Sequence, residues 1–237
     1  MRSDTVHASG AARLELSEPV LAGNEWRYVK ECLDSGWVSS AGPFVGRFER
    51  AVAEYAGAPH AVAAVNGTAA LHAALLAVGV QPGDEVLVSD LTFIAPVNAV
   101  RYCGAHPVLV DAARSSWQMD PAALGEFLAG RCDRRDGACY DRVSGRRVRA
   151  VVPVHILGLA CAMDRIMALA REHHLRVVED AAEAMGVRHQ GRHAGTFGDA
   201  GVVSFNGNKV ITSGGGGMIV TADERLAARA RYLTTQA

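Results

Sequence analysis

From residue 61 onward, short apolar segments alternate with stretches of helical spacing. That alternation limits the fold more than any other feature of the chain. Residues 61–65, 85–88, 107–111, 149–154 and 176–180 read as strands, and 200–205 and 218–221 add two more. Between them, 69–78, 95–103, 121–128, 162–173 and 223–233 carry apolar residues at helical intervals. Near-continuous apolar strands joined by helices belong to a largely parallel sheet covered on both faces, an α/β fold. Two amphipathic helices, 24–33 and 44–55, precede this unit. Residues 1–20 read as an irregular arm. The charge-rich segment 130–148 reads as a surface excursion turning at Asp136-Gly137.

A hydrophobic fraction of 49% over 237 residues is enough for a sizeable core. The net charge is −1 with no basic stripe, so no nucleic-acid partner is expected. No apolar run reaches the length of a membrane span, and the N-terminal residues lack the apolar core of a signal peptide. No membrane partner is expected, and the location expected is cytoplasmic. The five cysteines are irregularly spaced and read as reduced thiols. His189 and His193 are four apart, but Gln190-Gly191-Arg192 between them reads as a turn, so no metal site is expected.

Ligands of open α/β sheets bind beyond the carboxyl ends of the strands, and several chemically useful groups fall there. Among 24 Lys+Arg only Lys30 and Lys209 are lysines. Lys209 follows a strand and precedes the run Gly214 to Gly217. A desolvated lysine can act as a nucleophilic amine where arginine cannot. Asn66-Gly67-Thr68 joins a strand to a helix N-terminus, which suits a phosphate, although the same triplet is an ordinary helix cap. Asp180 ends a strand, where it either caps the next turn or holds a ring nitrogen protonated. Phe93 follows another strand and either stacks on a flat cofactor or packs in the core. Ser204, five residues before Lys209, can donate to a phosphate. A dinucleotide site would want GxGxxG after the first strand, and a P-loop would want Ser or Thr after the lysine. Neither pattern is present.

These residues lie in strings that jointly resemble the DegT/StrS-type sugar aminotransferases, which depend on pyridoxal 5′-phosphate. The strings are Gly36-Trp37-Val38-Ser39-Ser40, Val65-Asn66-Gly67-Thr68-Ala69-Ala70-Leu71-His72, Leu91-Thr92-Phe93-Ile94-Ala95-Pro96, Pro153-Val154-His155, Glu179-Asp180-Ala181-Ala182-Glu183 and Ser204-Phe205-Asn206-Gly207-Asn208-Lys209. The chain looks most like the branch that aminates nucleotide-linked 4-keto sugars in legionaminic acid, bacillosamine and perosamine pathways. The resemblance implies the large domain of fold type I aminotransferases. It makes Lys209 the Schiff-base lysine that also shuttles a proton, and Asp180 the partner of the pyridine nitrogen. It puts Glu183 near the ring hydroxyl, where many relatives carry Gln, and Phe93 on the ring face. Gly67, Thr68, Ser204 and the Ala69 N–H would hold the phosphate. Related dehydratases carry histidine at the lysine position, so Lys209 points to transamination, with glutamate as the expected amino donor and a nucleotide-linked 6-deoxy-4-keto sugar as acceptor.

Such relatives continue beyond the position of Ala237. The resemblance therefore implies a cofactor-binding large domain over 21–237 without the small C-terminal domain, and a homodimer in the full-length form. The alternative is a non-catalytic remnant, or half of a split aminotransferase, acting only as a folding or dimerising unit.

Overall fold

A computed structural model of the chain describes residues 18–235. Of the expected arm, 1–17 lie outside the described residues, and 18–20 have no regular structure. Two helices come first, α1 (Glu25–Ser35) and α2 (Pro43–Ala56), each closed by a left-handed glycine, Gly36 and Gly57. Strands and helices then alternate: β1 (His60–Ala64), α3 (Gly67–Ala77), β2 (Glu85–Ser89), α4 (Ile94–Tyr102), β3 (His106–Val110) and α5 (Pro121–Arg131). A hairpin follows, β4 (Cys132–Arg135) and β5 (Ala138–Asp141), leading to β6 (Arg147–Val152), α6 (Met163–Glu172) and β7 (Arg176–Asp180). A small hairpin, β8 (Arg188–His189) and β9 (Arg192–His193), precedes β10 (Ala200–Ser204), β11 (Gly217–Thr221) and α7 (Glu224–Thr234).

The main sheet runs β1-β11-β10-β7-β6-β2-β3. The pairs β10–β7, β7–β6, β6–β2 and β2–β3 are parallel, while β11 is antiparallel to both of its neighbours. All parallel strands therefore end on one edge. Val62, Val86, Val88, Val152, Val178, Val202 and Ile219 face a cluster closed by α3, α4 and α7. On the opposite face, Leu87, Val151 and Val177 pack under α5 and α6, while Val203, Met218 and Val220 pack with Val52 of α2. This is the expected α/β sheet with helices on both faces. No described helix is long and apolar enough to cross a membrane.

The structure corrects the reading of 130–148. It is an ordered hairpin whose second strand pairs antiparallel with the start of β6, and Asp136 (φ 52°) and Gly137 (φ 69°) form its turn. Arg134 and Arg135 point outward, while Cys139 and Asp141 are buried. The outward arginines masked the strand alternation. The Arg131 side chain bonds both oxygens of Asp141 at 2.9–3.0 Å. The apolar side of α1, with Trp26 and Leu33, is exposed, and none of the helix's residues is buried.

Candidate active site

The C-terminal sheet edge carries the candidate site because β1, β10, β7, β6 and β2 all finish there. At the end of β1, Asn66 is extended (φ −163°) and its Oδ1 accepts from the Ala69 N–H at 2.8 Å. As the first two residues of α3, Gly67 and Thr68 have no intrahelical acceptor for their N–H groups. Those N–H groups and the helix dipole favour an anion. The Ala69 N–H is engaged by the Asn66 cap, so it reaches a ligand only if that cap yields. Ser204, at the end of β10, sits directly against Gly67. A Cβ placed on Gly67 would lie 3.0 Å from Ser204 Cβ and 3.2 Å from its Oγ. The helix start can approach β11 because residue 217 is glycine: a Cβ there would be 2.4 Å from the Asn66 carbonyl oxygen.

Beside this cradle, Thr92, Phe93, His155, Leu157, Asp180, Glu183 and Lys209 line a cavity of about 180 Å³. Asp180 is 4% exposed, and its Oδ1 accepts from the Ala182 N–H at 3.0 Å. Burial pushes the Asp180 carboxyl above the usual carboxylate range, with the Ala182 N–H opposing. Lys209 Nζ lies 3.3 Å from Glu183 Oε1. The other Glu183 oxygen accepts from the Leu157 N–H at 2.9 Å, which restrains a residue held at φ 56°. Phe93 caps the start of α4 and is 75% exposed, so its ring does not pack in the core. Thr92 Oγ1 is buried with no hydrogen-bond partner among the described residues. An orphaned hydroxyl at a cavity wall is costly unless a ligand meets it.

Under the cavity lies a buried pair that the sequence reading quoted but gave no role. His155 and Glu179 are both fully buried, with Nε2 3.0 Å from Oε2. Glu179 also accepts from the N–H groups of Gly195, Phe197 and Gly198 at 2.6–2.9 Å. His155 Nδ1 accepts from the Cys161 N–H at 3.1 Å. Burial opposes a charge on the ring, while its bonds to Cys161 and Glu179 favour one. The Cys161 N–H aimed at Nδ1 nevertheless leaves no room for a second proton. We therefore assign the neutral tautomer, with the proton on Nε2.

The structure thus brings Phe93, Asp180, Glu183 and Lys209 into one cavity, and Gly67, Thr68, Ala69 and Ser204 into the adjoining cradle. Thr92 and His155 are additions that no spacing rule reveals. His189 and His193, four apart in sequence, diverge. His193 Nε2 accepts from the Gly186 N–H, while His189 pairs with Asp164 at 3.3 Å. A separate cleft of about 280 Å³, between residues 56–59 and the 188–198 segment, has no lysine or carboxylate in its lining.

The GDP-perosamine synthase of Caulobacter vibrioides is 46% identical over 228 residues, 96% of this chain and 57% of that protein. The putative pyridoxal phosphate-dependent aminotransferase EpsN of Bacillus subtilis is 39% identical over 225 residues, 95% of this chain and 55% of that protein. The crystal structure of DesI with its TDP-sugar product superposes with a TM-score of 0.77 at 37% identity, covering 88% of this chain and 49% of that one. The chain spans about half the length of the curated relatives it matches. Residues 19–237 match the DegT/DnrJ/EryC1/StrS aminotransferase family, to which this chain belongs.

Proposed function

We propose that this chain is the cofactor-binding large domain, over 21–237, of a pyridoxal-phosphate-dependent aminotransferase that aminates the 4-keto group of a nucleotide-linked 6-deoxy sugar. The observation that carries the reading is one sheet edge holding a lysine amine, a buried carboxyl, an exposed aromatic ring and a glycine–serine cradle side by side. The cofactor fits three features of that edge. A side chain on Gly67 would fill the cradle, the Thr92 hydroxyl lacks a partner, and Asp180 is a buried acid with one backbone donor.

The N–H groups of Gly67 and Thr68 and the Ser204 hydroxyl would bind the phosphate, with the Ala69 N–H beside them. Phe93 would cover one face of the ring and exclude water from it. Asp180 would hold a proton on the ring nitrogen, and its buried position strengthens that ion pair. Glu183, within reach of Lys209, would lie near the ring hydroxyl. Lys209 would hold the cofactor through Nζ and, once released, move a proton between substrate and cofactor carbon. When bound, pyridoxal phosphate supplies the electron sink for moving an amino group from a donor to a keto acceptor.

The similarity to GDP-perosamine synthase supports a nucleotide-sugar acceptor, and glutamate is the donor we propose. The full-length protein is proposed to be a cytoplasmic homodimer, which suits five free cysteines and an uncovered apolar side on α1. The second reading is a folding or dimerising unit without activity of its own. Adding pyridoxal phosphate to the purified chain separates the two. We expect a visible absorbance band that is absent in Lys209→Ala and that borohydride abolishes while fixing the cofactor irreversibly to the wild-type chain. A wild-type chain without such a band would leave the second reading standing.

A further inference from the structure

Glu179 and His155 lie behind the proposed cofactor groups, and nothing in the chemistry above uses them. They are bound into the same backbone as Asp180. The His155 N–H donates to the Asp180 carbonyl at 2.9 Å, and the Asp180 N–H donates to Pro153 at 2.9 Å. Glu179 precedes Asp180 on β7, and its carboxylate accepts four donors: three backbone N–H groups of 195–198 and the imidazole. The arrangement is fully matched in one state. A carboxylate accepts every donor aimed at it, and the ring donates through Nε2 while Nδ1 accepts from Cys161. Buried networks of this kind lose much when one member changes sign as donor or acceptor.

We propose that Glu179 and His155 are a positioning pair for Asp180, the carboxylate locking a neutral, Nε2-protonated imidazole beside the cavity so that the Asp180 carboxyl is held in place for the ring nitrogen. The proposal rests on the cofactor reading for its purpose, but the proton arrangement stands on geometry alone. An imidazolium at this place would put a second cation next to Asp180, in competition with the pyridinium. A neutral ring leaves the carboxyl's charge to the ligand.

Glu179→Gln is the decisive variant. An amide has one accepting and one donating end, and each Glu179 oxygen serves two donors, so two of the four then meet a donor. With the amide nitrogen in the place of Oε2 the ring must surrender either its Glu179 or its Cys161 bond, and with it in the place of Oε1 the Phe197 and Gly198 N–H groups behind β7 lose their acceptor. The first arm uses the cofactor-free chain, with ring nitrogen and Asp180 carboxyl NMR signals. We expect neutral His155 protonated at Nε2 in the wild type. In the variant, the Asp180 signal should move, while the Asp223 signal stays. The second arm measures pyridoxal phosphate affinity. Leaving two buried donors unmatched predicts binding weaker by roughly tenfold or more in Glu179→Gln. His155→Gln, which keeps an amide donor toward Glu179, should lose less affinity than Glu179→Gln. Asp141→Asn, remote from the cavity, serves as a destabilised control with unchanged affinity.

A wild-type ring that is charged or protonated at Nδ1 overturns the proposal. So does a folded Glu179→Gln chain with an unmoved Asp180 signal, or one that binds the cofactor as the wild type does. A wild-type chain that binds no pyridoxal phosphate refutes the cofactor reading instead, and the first arm still decides the pair.

Discussion

Gly67→Ala tests the phosphate cradle without touching the chemistry. Gly67 is the first residue of α3 and has no positive φ, so alanine suits its backbone. Replacing glycine in a helix stabilises by up to about 1 kcal/mol. The new methyl would lie 3.0 Å from Ser204 Cβ and 3.2 Å from its Oγ, tighter than ordinary contact. In the empty site the Ser204 hydroxyl can turn away, because its bond from the Asn206 N–H is long, at 3.4 Å, which leaves the Cβ contact to be relieved by a small backbone shift. The two effects offset one another, and urea unfolding should shift by less than about 1 kcal/mol. With a phosphate present, Ser204 has to point into the cradle and cannot turn. The overpacking then falls on the bound state, at about 1–3 kcal/mol, or roughly 5- to 150-fold in affinity. Titration calorimetry with pyridoxal phosphate, and with inorganic phosphate as the fragment, reads this directly. A folded Gly67→Ala chain that binds both ligands like the wild type would show that the phosphate lies elsewhere.

Asp180→Asn keeps an oxygen for the Ala182 N–H, so the fold should persist. Removing one partner of a buried ion pair costs about 3 kcal/mol, and pyridoxal phosphate should bind about 100-fold more weakly; unchanged affinity would take Asp180 out of the site. Glu183→Gln retains the acceptor for Leu157 and loses a charge pair whose Glu183 side chain is 40% exposed. Chemical denaturation should move by less than about 1 kcal/mol, and a larger loss would mean that the turn at Leu157 depends on the charge. Asp141 is buried, which raises its carboxyl pKa, but bonds from Arg131 and the Val143 N–H outweigh burial and lower it from 3.8 to about 2. Its stabilising contribution is therefore complete above about pH 4 and disappears as the pH falls through about 2. At full strength the depression is worth roughly 2 kcal/mol, and water around the 42% exposed Arg131 side chain reduces it to about 1 kcal/mol. Asp141→Asn should flatten the stability profile between those pH values; a variant profile as steep as the wild type's would assign the acid sensitivity to other carboxyls.

Local sequence determined most of the elements and supplied the residues of the proposed site. Apolar runs such as Ala150-Val151-Val152 make buried strands, because they leave no side for water. Asn66 before Gly67 starts a helix through its own side chain. The joint strings around Phe93, Asp180 and Lys209 marked residues that the fold gathers at one cavity. The hairpin 132–141 escaped because its outward arginines look like a solvated loop. Its strand character depends on the partner, β6, that pairs with Cys139 and Tyr140.

Tertiary structure decided what the residues do to one another. Gly67 and Ser204 are far apart in the chain, and only the position of β11 between β1 and β10 brings them into contact. His155 and Glu179 are ordinary polar residues in the sequence. Their meaning arises when β6 and β7 pair in parallel and burial removes water from both, so that each donor needs a particular acceptor. The burial that raises the Asp180 pKa belongs to the sheet edge as a whole and has no local signal. Periodicity is written residue by residue, whereas desolvation and hydrogen-bond matching are sums over neighbours that the chain supplies only once it is folded.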